Sequence, residues 1–121
     1  MKRIPDSELE LMMIIWDAEG PVTSEYLMRR IDRDWTKTTV LNLLSRLCGR
    51  GFLERGKEGR HNIYRALVDK DEYLKAESRS FLKRMYQNSL TKLVASLYDG
   101  ESVTKEDLEE LKVFIEEAED D

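Results

Sequence analysis

Thr38, Thr39, Asn42, Ser45, Arg46 and Gly49 fall on one side of a helix when the chain is turned at about 100° per residue. Val40, Leu43, Leu44 and Leu47 cluster opposite them in a narrow apolar arc. The polar set is small and hydrogen-bonding, with one arginine and no acid. A solvated helix face in a chain that is 37% charged normally carries Glu and Lys. Side chains of this kind can read base edges in a DNA major groove. Short hydroxyls and methyls fit beside the bases, an amide suits adenine, and a guanidinium suits guanine or phosphate. One bidentate contact from Asn42 or Arg46 discriminates by about 1–3 kcal/mol against a wrong base. An ordinary polar helix surface is the competing reading of the same wheel.

A second cluster follows in Gly56-Lys57-Glu58-Gly59-Arg60, a basic turn with two glycines. In a DNA-binding fold such a turn meets the backbone or the minor groove; by itself it also suits a solvated hairpin. Arg29, Arg30, Arg33, Arg50 and Arg55 are candidates for phosphate contacts, which position a protein without specifying sequence.

These residues need elements to hold them. Ser7 and Glu10 form a capping-box pattern ahead of an apolar set at Leu9, Met12, Met13 and Trp16, which predicts a first helix ended by Glu19-Gly20-Pro21. Thr23 is placed to cap a second helix running to about Asp32, with Val22 and Leu27 as a hydrophobic staple. The third helix, which carries the polar face, runs from near Thr36 to Arg50, where Gly51 supplies a stop. The period then changes, and Phe52–Arg55 and His61–Leu67 read as two strands around the basic turn. Three helices and a hairpin in this order make a winged helix-turn-helix, with the second and third helices as the helix-turn-helix unit.

From Asp69 no strand signal remains. A long helix is expected over Asp69–Tyr86, another around Leu90, Leu93, Val94 and Leu97, and a last one capped by Thr104. These helices are too short and too few to enclose a core alone, so a second copy of the chain is expected to cover them. Leu74, Phe81, Leu82, Met85, Leu93, Leu97, Leu108, Leu111 and Ile115 are the expected interface. The fold class is therefore mainly α (α+β), with a winged-helix DNA-binding domain over 1–68 and a helical dimerisation domain over 69–121.

Charge supports this division. The 121 residues carry a net −5, which taken whole speaks against a nucleic-acid partner. Residues 1–68 carry +2 and residues 69–121 carry −7, and within Arg29–Arg65 the balance is +6. Such asymmetry points to two jobs on one chain. Composition excludes other classes. The longest apolar run, Leu11–Trp16, is far below the roughly 20 residues a bilayer requires. The Met-Lys-Arg-Ile-Pro start lacks an apolar leader, so a cytoplasmic protein without membrane insertion is expected. One cysteine, Cys48, cannot form an internal disulfide, and with the single His61 it falls short of a zinc ligand set. Partly buried packing is its simplest role, with a redox switch as the alternative. No Gly-rich phosphate loop, HExxH or Ser-His-Asp pattern is present, so neither enzymatic activity nor a metal or other cofactor is expected.

Longer patterns are shared with a known family. Ser7-Glu8-Leu9-Glu10-Leu11-Met12-Met13-Ile14-Ile15-Trp16, Gly20-Pro21-Val22-Thr23, Thr38-Thr39-Val40, Leu44-Ser45-Arg46-Leu47, Gly51-Phe52-Leu53 and Glu58-Gly59-Arg60…Tyr64-Arg65-Ala66 occur in that order. Together they resemble the penicillinase-repressor family, which includes methicillin-resistance and copper-responsive repressors. The likeness is strongest over 7–67 and continues more weakly through Phe81-Leu82…Tyr86 and Leu93-Val94. It implies a dimeric repressor whose C-terminal helices intertwine with the partner's and whose recognition helix enters the major groove of a palindromic operator. By position it assigns DNA reading to Thr38, Thr39, Asn42 and Arg46, with Arg60 and His61 on the wing; Lys37 and Ser45 complete the expected contact set. Leu41 stands where many members carry a longer polar side chain.

The resemblance also brings a possible partner, a membrane sensor protease. In the β-lactam-responsive branch it leads to cleavage of an Asn-Phe bond in the C-terminal helices. The matching positions here are Ser96 and Leu97, and the cysteine-rich motif of the copper-responsive branch has no counterpart. The inducing signal and the target genes are left open. Two other functions stay open beside the repressor: a winged-helix protein-interaction module, which the acidic second half favours, and a regulator that senses a small ligand.

Overall fold

A computed structural model describes residues 2–120. The elements run α1 (Asp6–Asp17), α2 (Ser24–Arg30), α3 (Lys37–Gly49), β1 (Leu53–Glu58), β2 (His61–Ala66), α4 (Lys70–Tyr86), α5 (Leu90–Asp99) and α6 (Lys105–Glu119). The first five are a winged helix-turn-helix, as the order of sequence signals predicts. The chain divides into two compact units, 1–76 and 77–121, with the boundary falling within α4.

The first unit is built around one core. Leu11, Met12 and Ile15 of α1, Leu27 of α2, and Val40, Leu43, Leu44 and Leu47 of α3 are buried together with Phe52, Leu53 and Tyr64. Burying one such side chain contributes about 1.5–3 kcal/mol, so this cluster sets how the helices are rotated. Thr23 and Thr36 cap α2 and α3 by accepting from the Tyr26 and Thr39 amides. Gly51 then takes φ 85, a left-handed conformation that turns the chain from α3 into β1.

β1 and β2 pair antiparallel from Leu53↔Ala66 to Glu58↔His61. The strands reach further into the basic turn than the sequence pattern indicates, leaving a two-residue loop. Gly59 occupies its first position at φ 63, where a β-branched or bulky residue would be strained. Val22 adds a bridge on the other side of β2: its amide donates to the Tyr64 carbonyl at 3.0 Å, and the Tyr64 amide donates back at 2.8 Å.

Two sequence expectations change. Ser7 does not cap α1, which starts two residues earlier, at Asp6 behind the extended Pro5, and has no side-chain cap. Glu10 bonds the Arg33 Nε at 3.1 Å instead of the helix end. The inward stripe of α1 is also rotated by one position: Glu8, Leu11, Met12 and Ile15 are buried, while Leu9, Met13 and Trp16 are half-buried. An acid therefore opens the core-facing stripe. Glu8 is 2% exposed and forms an ion pair with Arg50, the residue that ends α3.

The start of α4 belongs to the first unit. Asp69 caps it by accepting from the Glu72 amide, and Tyr73 is buried among core residues. The Tyr73 hydroxyl accepts from the Ile4 amide at 2.7 Å, and Trp16 Nε1 donates to the Val68 carbonyl at 2.8 Å. In the second unit, Gln87 and Asn88 carry positive φ at the end of α4, Ser89 caps α5, and Thr104 with Asp107 forms a capping box on α6. No described residue of α5 or α6 is buried.

The Glu8–Arg50 pair predicts a stability effect. Arg50→Ala leaves a buried carboxylate without its partner and should lower the unfolding free energy by about 1–3 kcal/mol in urea denaturation, moderated because water reaches Arg50. Adding Glu8→Met should recover part of that loss. An unchanged urea midpoint for Arg50→Ala would show that the pair does not anchor α1 to α3.

Candidate nucleic-acid interface

The apolar arc of α3 is buried, so its opposite side must face out. Thr38, Asn42, Ser45 and Arg46 are exposed on it. Thr39 is half-buried, its hydroxyl 3.2 Å from that of Thr36. The wing is tied to this helix, because Arg55 Nη2 donates to Ser45 Oγ at 3.1 Å while its guanidinium lies 5.7 Å from the centre of the Tyr64 ring. Ser45 is thus engaged within the protein, whereas Thr38, Asn42 and Arg46 make no side-chain bond to another described residue.

Arg60 and His61 are exposed at the wing tip. They line one polar cleft with Lys37 from the head of α3, Ser24 and Glu25 from α2, and Asn62 and Tyr64 from β2; its volume is about 200 Å³. The fold therefore brings Lys37 to Arg60 and His61 although it is far from them in sequence. It also brings an acid that the wheel of α3 could not reveal. Lys37 Nζ donates to Glu25 Oε1 at 3.1 Å. The Asn62 Oδ1 is buried at this cleft without a hydrogen-bond partner.

The arginines expected at phosphates separate into two groups. Arg33 is held by Glu10, which raises its pKa, and Arg50 is held by buried Glu8. Each already has a carboxylate partner, so a phosphate contact would have to displace it. Arg30 lies 3.4 Å over the Tyr26 ring and donates to the Tyr26 carbonyl. Arg29, Arg30, Arg46, Arg55, Lys57 and Arg60 have no carboxylate partner among the described residues.

In the C-terminal helices the expected interface residues do not form one set. Leu108, Leu111 and Ile115 line an apolar groove of about 360 Å³ with Leu90, Val94 and Tyr98. Leu93 and Leu97 lie on another side of α5, because the groove follows the i, i+4, i+8 row from Leu90. Leu74, Phe81 and Met85 are exposed on α4 and Leu82 is half-buried; Phe81 lies 6.0 Å from the Tyr86 ring. Leu90, which the amphipathic pattern of α5 includes, and Tyr98 lie outside the expected interface set although both line this groove, and Phe114 is 65% exposed on α6. No described helix is long and apolar enough to cross a membrane, and the described residues hold no cluster of three His, Cys, Asp or Glu suited to a metal ion.

The family model described as Penicillinase repressor matches residues 4–117. The penicillinase repressor of Bacillus licheniformis is 33% identical over 121 residues, covering 97% of this chain and 94% of that protein. The solution structure of the DNA-binding domain of the repressor BlaI aligns with a TM-score of 0.51 at 32% identity, covering 60% of this chain and 94% of the other. The Bacillus licheniformis BlaI monomer, solved in complex with the blaP half-operator, aligns at 0.50 with the same identity and coverage.

Cys48, half-buried on α3, bears on its expected reactivity. Burial pushes its thiol pKa up, and the nearby Arg55 charge offsets this only in part. The thiolate fraction near neutral pH is then smaller than for a free cysteine. Iodoacetamide should alkylate Cys48 more slowly in the folded chain than in denaturant at pH about 8, with the folded rate still rising above the ordinary thiol pKa of about 8.5. A folded rate equal to or above the denatured one would assign Cys48 a reactive role.

Proposed function

The chain belongs to the penicillinase repressor family, and on that premise we propose that it represses transcription as a homodimer seated on a palindromic operator. It is a DNA-binding transcriptional repressor, not an enzyme. The observation that carries the mechanism is the outward face of α3, where Thr38, Asn42 and Arg46 stand exposed beside the cationic wing tip.

A helix held from behind by four buried side chains presents that face as a rigid unit. Asn42 and Arg46 are one helical turn apart, so both can address neighbouring base edges from one groove position. Thr38 and Lys37 stand at the end of α3 that adjoins the wing cleft, where Arg60 and His61 flank the sugar-phosphate backbone. Two such heads related by a dyad require half-sites one DNA turn, or a whole number of turns, apart. Occupying the promoter in this way excludes the transcription machinery.

Dimerisation draws support from the second unit. An α5–α6 pair with no buried side chain, and with Leu90, Tyr98, Phe114 and Ile115 exposed, leaves apolar surface that a second copy would remove from water. We place the protein in the cytoplasm, with the promoter it controls. A membrane sensor protease enters as the partner that the family likeness adds. Ser96 and Leu97 are exposed in α5 where β-lactam-responsive members carry Asn-Phe, and chain integrity after β-lactam challenge of cells decides for or against that partner.

Mobility-shift titration against the promoter of its own operon should show a two-fold site bound better than random duplex; no preference would overturn the proposal. Asn42→Ala should relax discrimination at one base position by about 1–3 kcal/mol. Arg60→Ala should weaken operator and random DNA alike and reduce the salt slope by about 0.9. Sedimentation should give a dimer at micromolar concentration that Leu111→Asp converts to monomer. A wild-type monomer would contradict the assigned interface.

A further inference from the structure

We propose that Glu25 restrains DNA affinity by holding Lys37 in an ion pair that any bound duplex must disturb. The proposal rests on the DNA-binding reading above and assigns a role to a residue outside the base-reading face.

Glu25 is a positioned anion. Its Oε1 accepts from Lys37 Nζ at 3.1 Å, and its Oε2 accepts from the hydroxyl of buried Ser24 at 3.3 Å. Its own backbone amide, then Lys37, holds the carboxyl below the usual carboxylate range, which favours its ionised form. It lines the same cleft as Arg60 and His61, beside the orphaned Asn62 Oδ1. The other carboxylates paired with cations of the first unit, Asp6, Glu8, Glu10, Asp17 and Glu54, are absent from that lining.

A duplex that meets Thr38 and Asn42 brings phosphates past Lys37, the residue that opens the same helix. Lys37 reaches phosphate by sharing or giving up its bond to Glu25, and the less neutralised carboxylate then repels the backbone. Every duplex bears that cost. An operator offsets it with base contacts, whereas random DNA has none to offer, so Glu25 keeps non-specific occupancy low.

The test measures binding of the full chain to a duplex from its own promoter and to a random duplex of equal length across a range of salt. Glu25→Gln should tighten both by roughly fivefold to tenfold near 0.1 M salt and steepen the salt slope by about 0.9, one further phosphate contact. In a Lys37→Ala background the same substitution should give little gain. Unchanged melting temperatures check that the fold is intact. Unchanged or weaker binding by Glu25→Gln would overturn the proposal, since the pair would then be inert or would orient Lys37 for DNA. A gain undiminished in Lys37→Ala would overturn its route through Lys37. Failure of the wild-type chain to bind either duplex would instead overturn the DNA-binding reading itself.

Discussion

Burial of the α3 leucine stripe is the constraint on which the rest of the head depends. Val40, Leu43, Leu44 and Leu47 enter the core together, each contributing about 1.5–3 kcal/mol. Surface pairs such as Lys37–Glu25 or Arg65–Glu54 contribute about 0–1 kcal/mol and cannot compete for the rotation of the helix. The interior therefore decides which side chains meet solvent. The same packing fixes both ends of α3: Thr36 caps its start, and Arg50 reaches buried Glu8 at its finish. Gly51 then releases the chain into the wing, and Arg55 ties that wing back to Ser45.

Electrostatics acts on this frame by subtraction. Residues 29–65 carry +6 by sequence, yet Arg33, Arg50 and Arg65 are each held by a carboxylate, two of which come from α1, outside that segment. The charge available to a polyanion is concentrated on Arg29, Arg30, Arg46, Arg55, Lys57 and Arg60, with Lys37 partly cancelled by Glu25. The −7 of residues 69–121 adds a repulsive field toward phosphate. A sequence-independent electrostatic cost of this kind falls on every duplex alike and leaves base reading, which depends on short-range contacts, in place. A net charge of −5 is therefore compatible with operator binding.

Legibility in the sequence followed how many ways a segment can satisfy its pattern. α3 has one apolar arc and one polar arc, and its wheel reading holds for the four buried residues and for Thr38, Asn42, Ser45 and Arg46, with Thr39 half-buried at the edge. From Leu9 to Trp16, α1 is apolar almost all round, so periodicity could not choose between the Leu9 stripe and the Leu11 stripe; the core chose the latter and placed Glu8 inside. Ser7 and Glu10 matched a capping box, but the extended Pro5 set the helix start earlier and Arg33 captured Glu10. The wing was legible as a hairpin while its loop length was not, because Lys57 and Glu58 suit a strand edge as well as a turn.

By itself the sequence determined the order of elements, the caps at Thr23 and Thr104, and the face of α3 that looks outward. These depend on neighbours within a few residues, where helix geometry alone relates side chains. Only the tertiary structure decided which cations remain free, that Tyr73 belongs to the first core, and that Glu25 faces Lys37 across the helix-turn-helix. Those relations join residues separated by a turn or by much of the chain. Their strength depends on distance and burial, which composition and periodicity do not encode.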